Sequence, residues 1–582
     1  MALYQVTQTT DNGNGDTVGT LSYAILQANR NAGTDAIELK TNVRIMSVMK
    51  TLPNSDIVVI GNGKTVSGDA NNNGQTDNGD LRPFFILSGN VKFYDLTITS
   101  STAKGGDSSQ GAGAGMGGGM FIYGGNVSLS NVTFSNSRAQ GGNYTRSGEG
   151  GGGGMFGNGK RGGGGLFASS TNRDGGYGGT GNYGGGAGKG RYSTDNGGNG
   201  SFGGGGGGAS FFVDGGSGGN GGFGGGGGSA SPSTNISIRS GGNGGFGGGG
   251  AWKALGGYGG GSGSGGSGGG YGGGSARSGG SAGGAGMGGA IFIRSGNLTL
   301  NGVNLNNNSA SRGSAGFNGQ GLGGALFIMQ RTTNTNDNNQ GMPTTLPTVV
   351  SEGTQPTYSG NSATNDTGAS NNNDNVFGTV NTVTDSKAGN DTINGTNNSD
   401  TLDGGAANDI INGLGSSDIL IGGSGNDTIN GGIGVDILYG GLGSDNLNGG
   451  AGNDSLIGGA GSDRFIFNSG EQFNSASVGV DTISDFMTGT HKIALSKSTF
   501  TGIDSAVGNG FSEGDEFDVV DSLNLVGNLF EGLGAANIIY NSQDRGLYYI
   551  EDGLFAGLTN PTKFATLQGN FTPTASDFVI TT

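Results

Sequence analysis

The sequence predicts an all-β chain in which a parallel β-helix carries a glycine-rich insertion and is followed by a parallel β-roll and a small β-rich C-terminal domain. Three observations indicate this fold. An aspartate returns at every ninth residue between 391 and 463, and a short apolar phrase that begins Gly-Asn recurs in the first half. Glycine supplies 141 of the 582 residues and about half of the tract 143–285. So much glycine without collagen spacing is typical of a repeat dominated by its backbone.

The nine-residue words that define the β-roll are clearest from Gly422 to Asn448, which reads GGSGNDTIN, GGIGVDILY and GGLGSDNLN. Each word follows the pattern GGxGxDxUx, where U is a large hydrophobic residue, and this pattern is typical of parallel β-rolls. We expect six residues of each word to form a turn and three a strand, so that two words complete one coil and the eighth side chain points inward. The sixth-position residues, called the ladder aspartates below, are Asp391, Asp400, Asp409, Asp418, Asp427, Asp436, Asp445, Asp454 and Asp463.

The ladder aspartates and nearby glycines are predicted to bind Ca²⁺. This hard ion takes six to eight oxygens, and carboxylates with backbone carbonyls suit it. Glycine adopts positive φ and lets carbonyls approach a cation closely. The predicted ligands are the nine ladder aspartates together with Gly425, Gly434, Gly443 and Gly452. Up to about seven ions fit if each ion bridges words two apart, and without metal the stacked carboxylates should repel and leave the roll unfolded.

The array is not uniform along its length. The first two words lack some of the glycines, and in the third word Ala407 stands where the fourth-position glycine belongs. The sites at that end are therefore predicted to be the weakest. The alternative is a disordered linker rich in Gly, Asn and Asp. Nine aspartates in register with nine large hydrophobic residues disfavour that alternative.

The nonapeptide array resembles the RTX, or haemolysin-type, family of calcium-binding proteins exported by type 1 secretion. The segment DTISDFMTGTHKIALS, from Asp481, resembles the capping sequence of such rolls, with His491 where an acidic residue usually stands. The segments ANIIYNSQDRGLYYIEDG and TASDFVITT are similar to the family's uncleaved export region. The resemblance covers roughly 385–582 and implies a secreted, extracellular protein that folds on meeting calcium. The N-terminus lacks a signal-peptide pattern, and no apolar stretch is long enough for a transmembrane helix.

The first half begins with a predicted helix and continues with repeated short strands. In the segment from Asp16, four apolar residues from Leu21 to Ala28 fall on one helical face, and Gly33 can end the helix. The phrases GNVKFYDLTI, GNVSLSNVTF and GNLTLNGVNL each follow an apolar run such as MFIYG. Short strands repeated in this way predict a parallel β-helix, in which each coil is buried against its neighbours. The alternative is an antiparallel β-sandwich, which the scarcity of hairpin signals disfavours.

Two resemblances refine the predicted β-helix. The first helix is similar to the N-terminal cap of right-handed β-helix surface proteins. The phrase GGAIFI, with Asn308 and Ala310 nearby, resembles repeats of the polymorphic outer-membrane-protein type, and PTYSGNSATND from Pro356 looks like the last coil of that family. The resemblances imply a right-handed helix.

The glycine-rich tract is predicted to be one insertion into one coil. Asn90 and Asn126 are 36 residues apart, whereas Asn126 and Asn297 are 171 apart, so 135 residues are extra. Three structures are compatible: disorder, a bundle of polyproline-II glycine helices joined by lateral hydrogen bonds, or extra β-coils with glycine corners. Periodic aromatic rings favour order, because they would fill a seam or form a sticky surface. The rings are Phe156, Phe167, Phe202, Phe223, Phe246 and Tyr258.

Together these observations divide the chain into five predicted domains. They are 1–142 for the β-helix cap and first coils, 143–285 for the insertion, 286–380 for the last coils, 381–470 for the calcium roll, and 471–582 for the roll cap and C-terminal secretion domain.

Composition excludes several functions. The net charge of −16 disfavours nucleic-acid binding, because a phosphate-binding face needs clustered Lys and Arg. The single histidine, His491, lies in the roll cap, and no zinc-protease HExxH motif or cysteine nucleophile exists. A β-helix followed by an RTX roll is also the layout of some polysaccharide lyases and epimerases, but the arginines of the first half are scattered. We therefore expect a protein that is not an enzyme.

The combined layout resembles oscillin-like surface fibril proteins of gliding filamentous bacteria. The resemblance implies a structural role in an extracellular fibril, sheath or coat, linked to gliding or adhesion, with self-association through the insertion or the ends of the β-helix. The main alternative is a carbohydrate-binding adhesin, in which exposed rings of the insertion stack on surface glycans. A β-helix polysaccharide lyase or epimerase is the less favoured alternative.

Overall fold

Parallel strand pairing dominates the computed structural model, as the sequence predicts. The chain forms two units, 2–383 and 384–582, called the β-helix unit and the roll unit below. The structure describes residues 1–145, 151–155, 157–159, 163–166, 169, 196–209, 217–230, 240–266, 268–276, 281–364, 374–382, 388–511, 516–521, 536–551, 561–569 and 571–582.

The described part of the β-helix unit contains five parallel sheets, called the first to fifth helix sheets below. The first helix sheet consists of Leu3–Val6, Asp35–Leu39, Ile57–Ile60, Asn90–Tyr94, Asn126–Ser130, Asn297–Asn301, Thr348–Ser351 and Asn381–Thr382. The second consists of Thr10–Asp11, Val43–Ile45, Thr65–Ser67, Thr97–Thr99, Thr133–Ser135, Asn304–Asn306 and Thr357–Ser359.

The other three sheets of this unit are shorter. The third helix sheet consists of Phe84–Ile86, Met120–Ile122, Ile291–Ile293, Leu326–Ile328 and Val376–Phe377. The fourth consists of Thr102–Lys104, Arg138–Gln140, Ser309–Ser311 and Ser362–Ala363, and the fifth of Gly115–Met116, Gly286–Met287 and Gly321–Leu322. The predicted parallel β-helix is confirmed, and the antiparallel sandwich is wrong for this unit because its strands pair in parallel.

A short helix, Leu21–Ala28, lies at the start of this unit. The Thr20 side chain caps it by accepting a hydrogen bond from the Tyr23 backbone N–H at 3.2 Å. Its predicted apolar face is buried in the core that the strands share. The helix ends before the predicted Gly33, because Asn29 already forms its C-cap.

Strand register places the insertion within one coil. Asn126 pairs with Asn90 on one side and with Asn297 on the other, although the two partners are separated from it by very different lengths of chain. The insertion leaves the β-helix after Arg138–Gln140 and returns at Gly286–Met287. In the neighbouring coils, the same two sheets are joined by short connections.

The described part of the insertion follows a three-residue period. Backbone N–H groups of Gly218, Gly221, Gly224 and Gly227 donate to carbonyls of residues 240, 243, 246 and 249, at 2.8–3.3 Å. These segments form neither α-helix nor β-strand. Three residues per turn with lateral hydrogen bonding is the geometry of polyproline-II segments, and glycine permits it because no side chain separates the backbones. The described residues therefore follow the predicted glycine bundle.

Two columns of stacked rings attach the insertion to the β-helix. The insertion column consists of Phe202, Phe223, Phe246, Tyr258 and Tyr271, with successive ring centroids 5.0–5.4 Å apart. The helix column consists of Phe85, Phe121, Phe292, Phe327 and Phe377, with centroids 4.7–5.0 Å apart. The columns meet edge to face, for example Phe246 against Phe292 at 6.1 Å and 75°. The insertion is thus packed on the outer face of the third helix sheet.

These contacts decide between the two roles predicted for the rings. Phe246 and Tyr258 are at most 1% exposed and Phe223 is 6% exposed, so they fill a seam and do not form a sticky surface. The seam joins the insertion to the β-helix as well as glycine segments to one another. Phe156 and Phe167, also predicted to contribute, lie outside the described residues.

The roll unit contains two further sheets. The first roll sheet consists of Thr392–Asn394, Ile410–Gly415, Thr428–Ile433, Asn446–Ala451, Arg464–Phe467, Lys492–Ser496 and Phe578–Thr581. The second consists of Thr401–Ala406, Ile419–Ser424, Ile437–Leu442, Ser455–Ala460, Asp481–Ile483, Thr562–Leu567, Gly546–Tyr549, Ile538–Asn541 and Phe517–Val520. One turn of α-helix, Ser475–Val478, and one of 3-10 helix, Ala575–Asp577, lie between strands.

Successive words of the repeat alternate between the two roll sheets. Each strand pairs with the strand 18 residues further on, as Leu420 does with Leu438, so two words complete one coil as predicted. The strands of complete words have six residues where three were expected, but the pairing skips the first glycine of each word and thereby divides each strand into two short runs. The eighth-position side chains, from Ile411 to Phe465, are fully buried. Ile538–Asn541 and Gly546–Tyr549 pair antiparallel and form a hairpin.

Candidate calcium sites

The ladder aspartates form two columns, one in each roll sheet. One carboxylate oxygen, Oδ1, accepts a hydrogen bond from the backbone N–H of the ladder aspartate 18 residues earlier. Asp427 thus donates to Asp445, and Asp436 donates to Asp454, both at 2.8 Å. The same bond occurs throughout the array, at 2.7–3.0 Å. This bond fixes each side chain and leaves the second oxygen for another partner.

The second oxygen, Oδ2, is buried without a hydrogen-bond partner in the centre of the array. This holds for Asp418, Asp427, Asp436, Asp445 and Asp454. These residues are at most 2% exposed. A buried carboxylate oxygen is costly unless it is paired or bound to a metal. A regular column of such oxygens therefore fits a column of cations.

The first glycine of each word leaves space beside that oxygen. A Cβ atom added at Gly440 would lie 2.4 Å from Oδ2 of Asp445 and 2.5 Å from the carbonyl oxygen of Gly458. A Cβ atom added at Gly422 would likewise lie 2.4 Å from Oδ2 of Asp427 and 2.5 Å from the carbonyl oxygen of Gly440. A carboxylate oxygen and a carbonyl oxygen thus converge where a side chain would otherwise lie. This donor set suits Ca²⁺, and glycine is required to expose it.

The carboxylates have strongly raised pKa values in the metal-free protein. Burial raises the pKa of Asp427 and Asp454 to about 6, of Asp436 to about 7 and of Asp445 to about 8. Neighbouring ladder aspartates add to this effect at Asp436 and Asp445. Ionised carboxylates are thus unfavourable here without a counter-ion, and a bound cation would reverse this preference.

The fourth-position glycines predicted as ligands lie in the turns between strands. Gly425, Gly434, Gly443 and Gly452 have φ values from +132° to +152°. A Cβ atom at Gly443 would lie 1.7 Å from the carbonyl oxygen of Gly425, so neighbouring turns are stacked in direct backbone contact. Glycine is required for this stacking, and the participation of these four residues in metal binding stays a prediction.

The two ends of the array differ from its centre. At the start, Asp391 and Asp400 are partly exposed, and Oδ2 of Asp400 accepts hydrogen bonds from the backbone and side chain of Thr396. That oxygen has a protein partner, which agrees with the weaker sites expected there. In the third word, Ala407 occupies the fourth position with φ +79°, in the left-handed region that glycine adopts more readily.

The cap continues both columns. Oδ1 of Asp481 accepts from the backbone N–H of Asp454 at 3.0 Å, so Asp481 takes the next place in one column. In the other column, Nδ1 of His491 accepts from the backbone N–H of Asp463 at 3.1 Å and lies 3.3 Å from its Oδ2. The sequence predicted the position of His491 but missed Asp481. Its signal was present, because Asp481 continues the nine-residue spacing after one gap and Ile483 follows it two residues later.

Comparison with protein families identifies the repeats. A family model described as the RTX calcium-binding nonapeptide repeat, of four copies, matches residues 386–418, 412–447 and 439–471. These are RTX repeats. The match covers the residues whose carboxylate oxygens lie in the two columns, and it supports calcium binding by these repeats. No curated protein matches the chain.

Two further findings concern the RTX repeats and the chain as a whole. Within the described residues, no three acidic or histidine side chains gather at a single point. Calcium in the RTX repeats would therefore take backbone carbonyls as well as aspartate oxygens, which the first-position glycines provide. In the described part of the chain, no helix combines the length and apolar character needed to cross a membrane.

Proposed function

We propose that this protein is a secreted, calcium-dependent structural protein of the bacterial cell surface, which assembles into an extracellular fibril, sheath or coat. The observation that carries the proposal is the column of buried carboxylate oxygens without protein partners, in Asp418, Asp427, Asp436, Asp445 and Asp454. At neutral pH, a roll built in this way is stable only with a cation. Metal binding then supplies folding free energy, as in other domains whose sites exist only in the folded state.

Calcium dependence fits export in an unfolded state. Inside a cell, where free calcium is scarce, the carboxylates repel one another and oppose folding of the roll. Outside the cell, calcium neutralises them and the roll becomes rigid. Export through type 1 secretion is part of the proposal, supported by the RTX repeats.

A structural role is supported by how the interior is filled. The β-helix core is packed with side chains from every coil, and the two aromatic columns hold the insertion against its outer face. We infer a role without catalysis, because the single histidine of the sequence, His491, is 3% exposed and hydrogen-bonded to Asp463. A general base needs access to its substrate.

Assembly is proposed to use the outer strands of the sheets. Leu3–Val6 is the outer strand of the first helix sheet, and Thr392–Asn394 and Thr401–Ala406 are outer strands of the two roll sheets. Outer strands present backbone groups that pair readily with another chain. The insertion is a weaker candidate, because its described ring column is largely buried within the protein. A link to gliding or adhesion would follow from such a coat.

Electron microscopy of negatively stained full-length protein tests this proposal. Filaments or sheets are expected with calcium and dispersed particles with excess chelator. In the variant Asp436→Asn/Asp445→Asn, which removes two predicted calcium ligands and the two costliest charges, assembly should depend less on calcium. In Asp16→Asn/Asp337→Asn, which removes two exposed charges elsewhere, assembly should stay calcium-dependent. Dispersed particles at every protein concentration with calcium present would contradict assembly. Filaments that persist in chelator with the roll unfolded would contradict its calcium dependence.

Three of the described rings of the insertion do not support the adhesin alternative. It rested on exposed rings of the insertion, and Phe223, Phe246 and Tyr258 are buried. Specific retention on a glycan array, without filament formation, would nevertheless favour an adhesin over a coat.

A further inference from the structure

A twelve-residue loop in the β-helix unit, far in sequence from the RTX repeats, has the composition of a calcium-binding loop. Residues 69–80 read DANNNGQTDNGD. In a calcium loop of the EF-hand type, oxygen ligands come from positions 1, 3, 5, 7, 9 and 12, and glycine at position 6 permits a sharp turn. Those positions here are occupied by Asp69, Asn71, Asn73, Gln75, Asp77 and Asp80, with Gly74 sixth.

The loop is held in place by the β-helix. It connects Thr65–Ser67 of the second helix sheet to Phe84–Ile86 of the third. The Leu81 backbone N–H donates to the Gly68 carbonyl at 2.9 Å and closes the base of the loop. The Thr76 hydroxyl donates to a carbonyl of the coil after next, that of Asn136, at 2.7 Å. The β-helix thus brings the two ends together without the flanking helices of an EF-hand.

The backbone of the loop already surrounds the first carboxylate. Asp69, 6% exposed, accepts hydrogen bonds from the backbone N–H groups of Asn73 at 3.1 Å and Gly74 at 2.8 Å. Gly74 has φ +73°, which favours glycine at this position. Asn71 and Asn73 donate their side-chain amides to Asp77 at 2.9 and 2.8 Å. A half-turn of these two amides would present their oxygens in place of their nitrogens.

The last carboxylate supplies independent evidence for a ligand. Asp80 is 2% exposed, and its Oδ2 accepts from the backbone N–H of Asp77 at 2.6 Å. Its Oδ1 is buried with no hydrogen-bond partner. Burial raises the pKa of Asp80 to about 6, and the charges of Asp77 and Asp69 add to the effect. The charge of Arg138, whose guanidinium donates to Asn78 at the edge of the loop, lowers this pKa only in part.

We propose that residues 69–80 bind one Ca²⁺ in a site separate from the RTX repeats. The ligands are the carboxylates of Asp69, Asp77 and Asp80, the side-chain oxygens of Asn71 and Asn73, and the Gln75 carbonyl. The three carboxylates are not gathered at one point in this structure, so binding would draw them together. Aspartate at position 12 is one methylene shorter than the usual glutamate, which gives a tighter loop in which Mg²⁺ competes more effectively.

Calcium bound at this site would stabilise the connection between the second and third helix sheets near the start of the β-helix. The following coils occupy the equivalent position with strands of the fourth and fifth helix sheets, such as Thr102–Lys104 and Gly115–Met116. The loop takes the place of these strands, and it rests on the next coil, where the Gly68 backbone N–H donates to the Thr99 carbonyl at 3.0 Å. Calcium bound there would order this otherwise exposed connection in the same extracellular environment that folds the roll.

The test uses full-length protein, Ca²⁺ as the only added ligand, and digestion by a protease that cleaves before aspartate. At a calcium concentration of ten times Kd, cleavage before Asp69 and Asp77 should slow roughly tenfold, because only the calcium-free loop is cut. Asp80→Asn should abolish this protection while keeping the hydrogen bond to the Asp77 N–H. Asn72→Gly changes an exposed residue that supplies no ligand and should leave the protection intact. Native mass spectrometry should count one fewer calcium ion for Asp80→Asn.

Two results separate this site from the function proposed above. Protection of the loop should persist in Asp436→Asn/Asp445→Asn, in which the roll binds calcium less tightly. Equal protection and equal ion counts in the wild type and Asp80→Asn would overturn the proposed site, as would protection that disappears whenever the roll variant is used. Neither of these outcomes would affect the calcium dependence of the roll itself.

Discussion

Removing calcium is expected to unfold the roll at neutral pH but to leave it largely folded near pH 4. The prediction follows from the raised pKa values of the ladder aspartates. A carboxyl group whose pKa is higher in the folded state than in the unfolded state favours folding while it is protonated. This stability is fully present below the unfolded pKa of about 3.8 and is lost as the pH rises through the folded values, from about 6 for Asp427 to about 8 for Asp445.

The size of the effect can be worked out from the buried groups. For Asp445 the difference from the ordinary value of 3.8 is about 4 pKa units, which corresponds to roughly 6 kcal/mol at about 1.4 kcal/mol per unit. Ionisation of Asp436, whose pKa is raised to about 7, costs roughly 4 kcal/mol of folding stability on the same basis. These two groups alone reach the range of about 5–15 kcal/mol that is typical of the stability of a whole domain. Ionisation without a bound cation should therefore unfold the roll.

Hydrogen exchange followed by mass spectrometry localises this effect within the full chain. Amides of 401–467 should lose protection at pH 7.5 in excess chelator, retain it with calcium, and regain it in chelator near pH 4, after correction for the intrinsic exchange rate. Amides of the first helix sheet should stay protected throughout and act as an internal control. Asp445→Asn should raise protection in chelator at pH 7.5, because the costliest charge is gone, while lowering calcium affinity. Equal protection of the wild-type roll at both pH values in chelator would refute the reasoning.

Three other substitutions test the packing on which the sites depend. Gly440→Ala places a methyl group 2.4 Å from a ladder carboxylate oxygen and should lower calcium affinity by at least tenfold, measured by calorimetric titration. The control Gly389→Ala, whose methyl group meets nothing within 4 Å, should leave the affinity unchanged. Phe246→Ala removes a buried ring from the insertion column and should cost about 3–5 kcal/mol, measured by denaturant unfolding; a loss below about 1 kcal/mol would contradict the packing. His491→Asp should extend the column beside Asp463, raise the calcium count, and weaken the metal-free roll. An unchanged count by native mass spectrometry would show that the histidine end is not part of a site.

The roll was predictable from sequence because the length of its repeat specifies which residues lie side by side. A residue every ninth position, with two words per coil, must return to the same place in the same sheet 18 residues later, as Leu420 and Leu438 do. The glycine at position 1 is also a direct signal, because a side chain there would collide with the neighbouring carboxylate. The missing glycines of the first two words and Ala407 in the third likewise predict weaker sites at that end of the array.

The aromatic columns could not be predicted in the same way. Phe246 and Phe292 each lie in a segment that is recognisable as a repeat. Neither segment contains a sequence signal that predicts their edge-to-face contact. The loop 69–80 was missed for a related reason. Its residue spacing already fits a calcium loop, but the independent sign of a ligand there, the buried oxygen of Asp80 without a partner, exists only once the β-helix has closed the loop.

The sequence by itself determined the coil lengths, the two solenoids and the acidic columns, because a strict period leaves a chain few ways to stack on itself. The tertiary structure alone decided which oxygens lack partners and which face of the β-helix carries the insertion. Those features depend on contacts between distant segments. Their free energy comes from burial and close packing, and no local pattern of residues encodes either one.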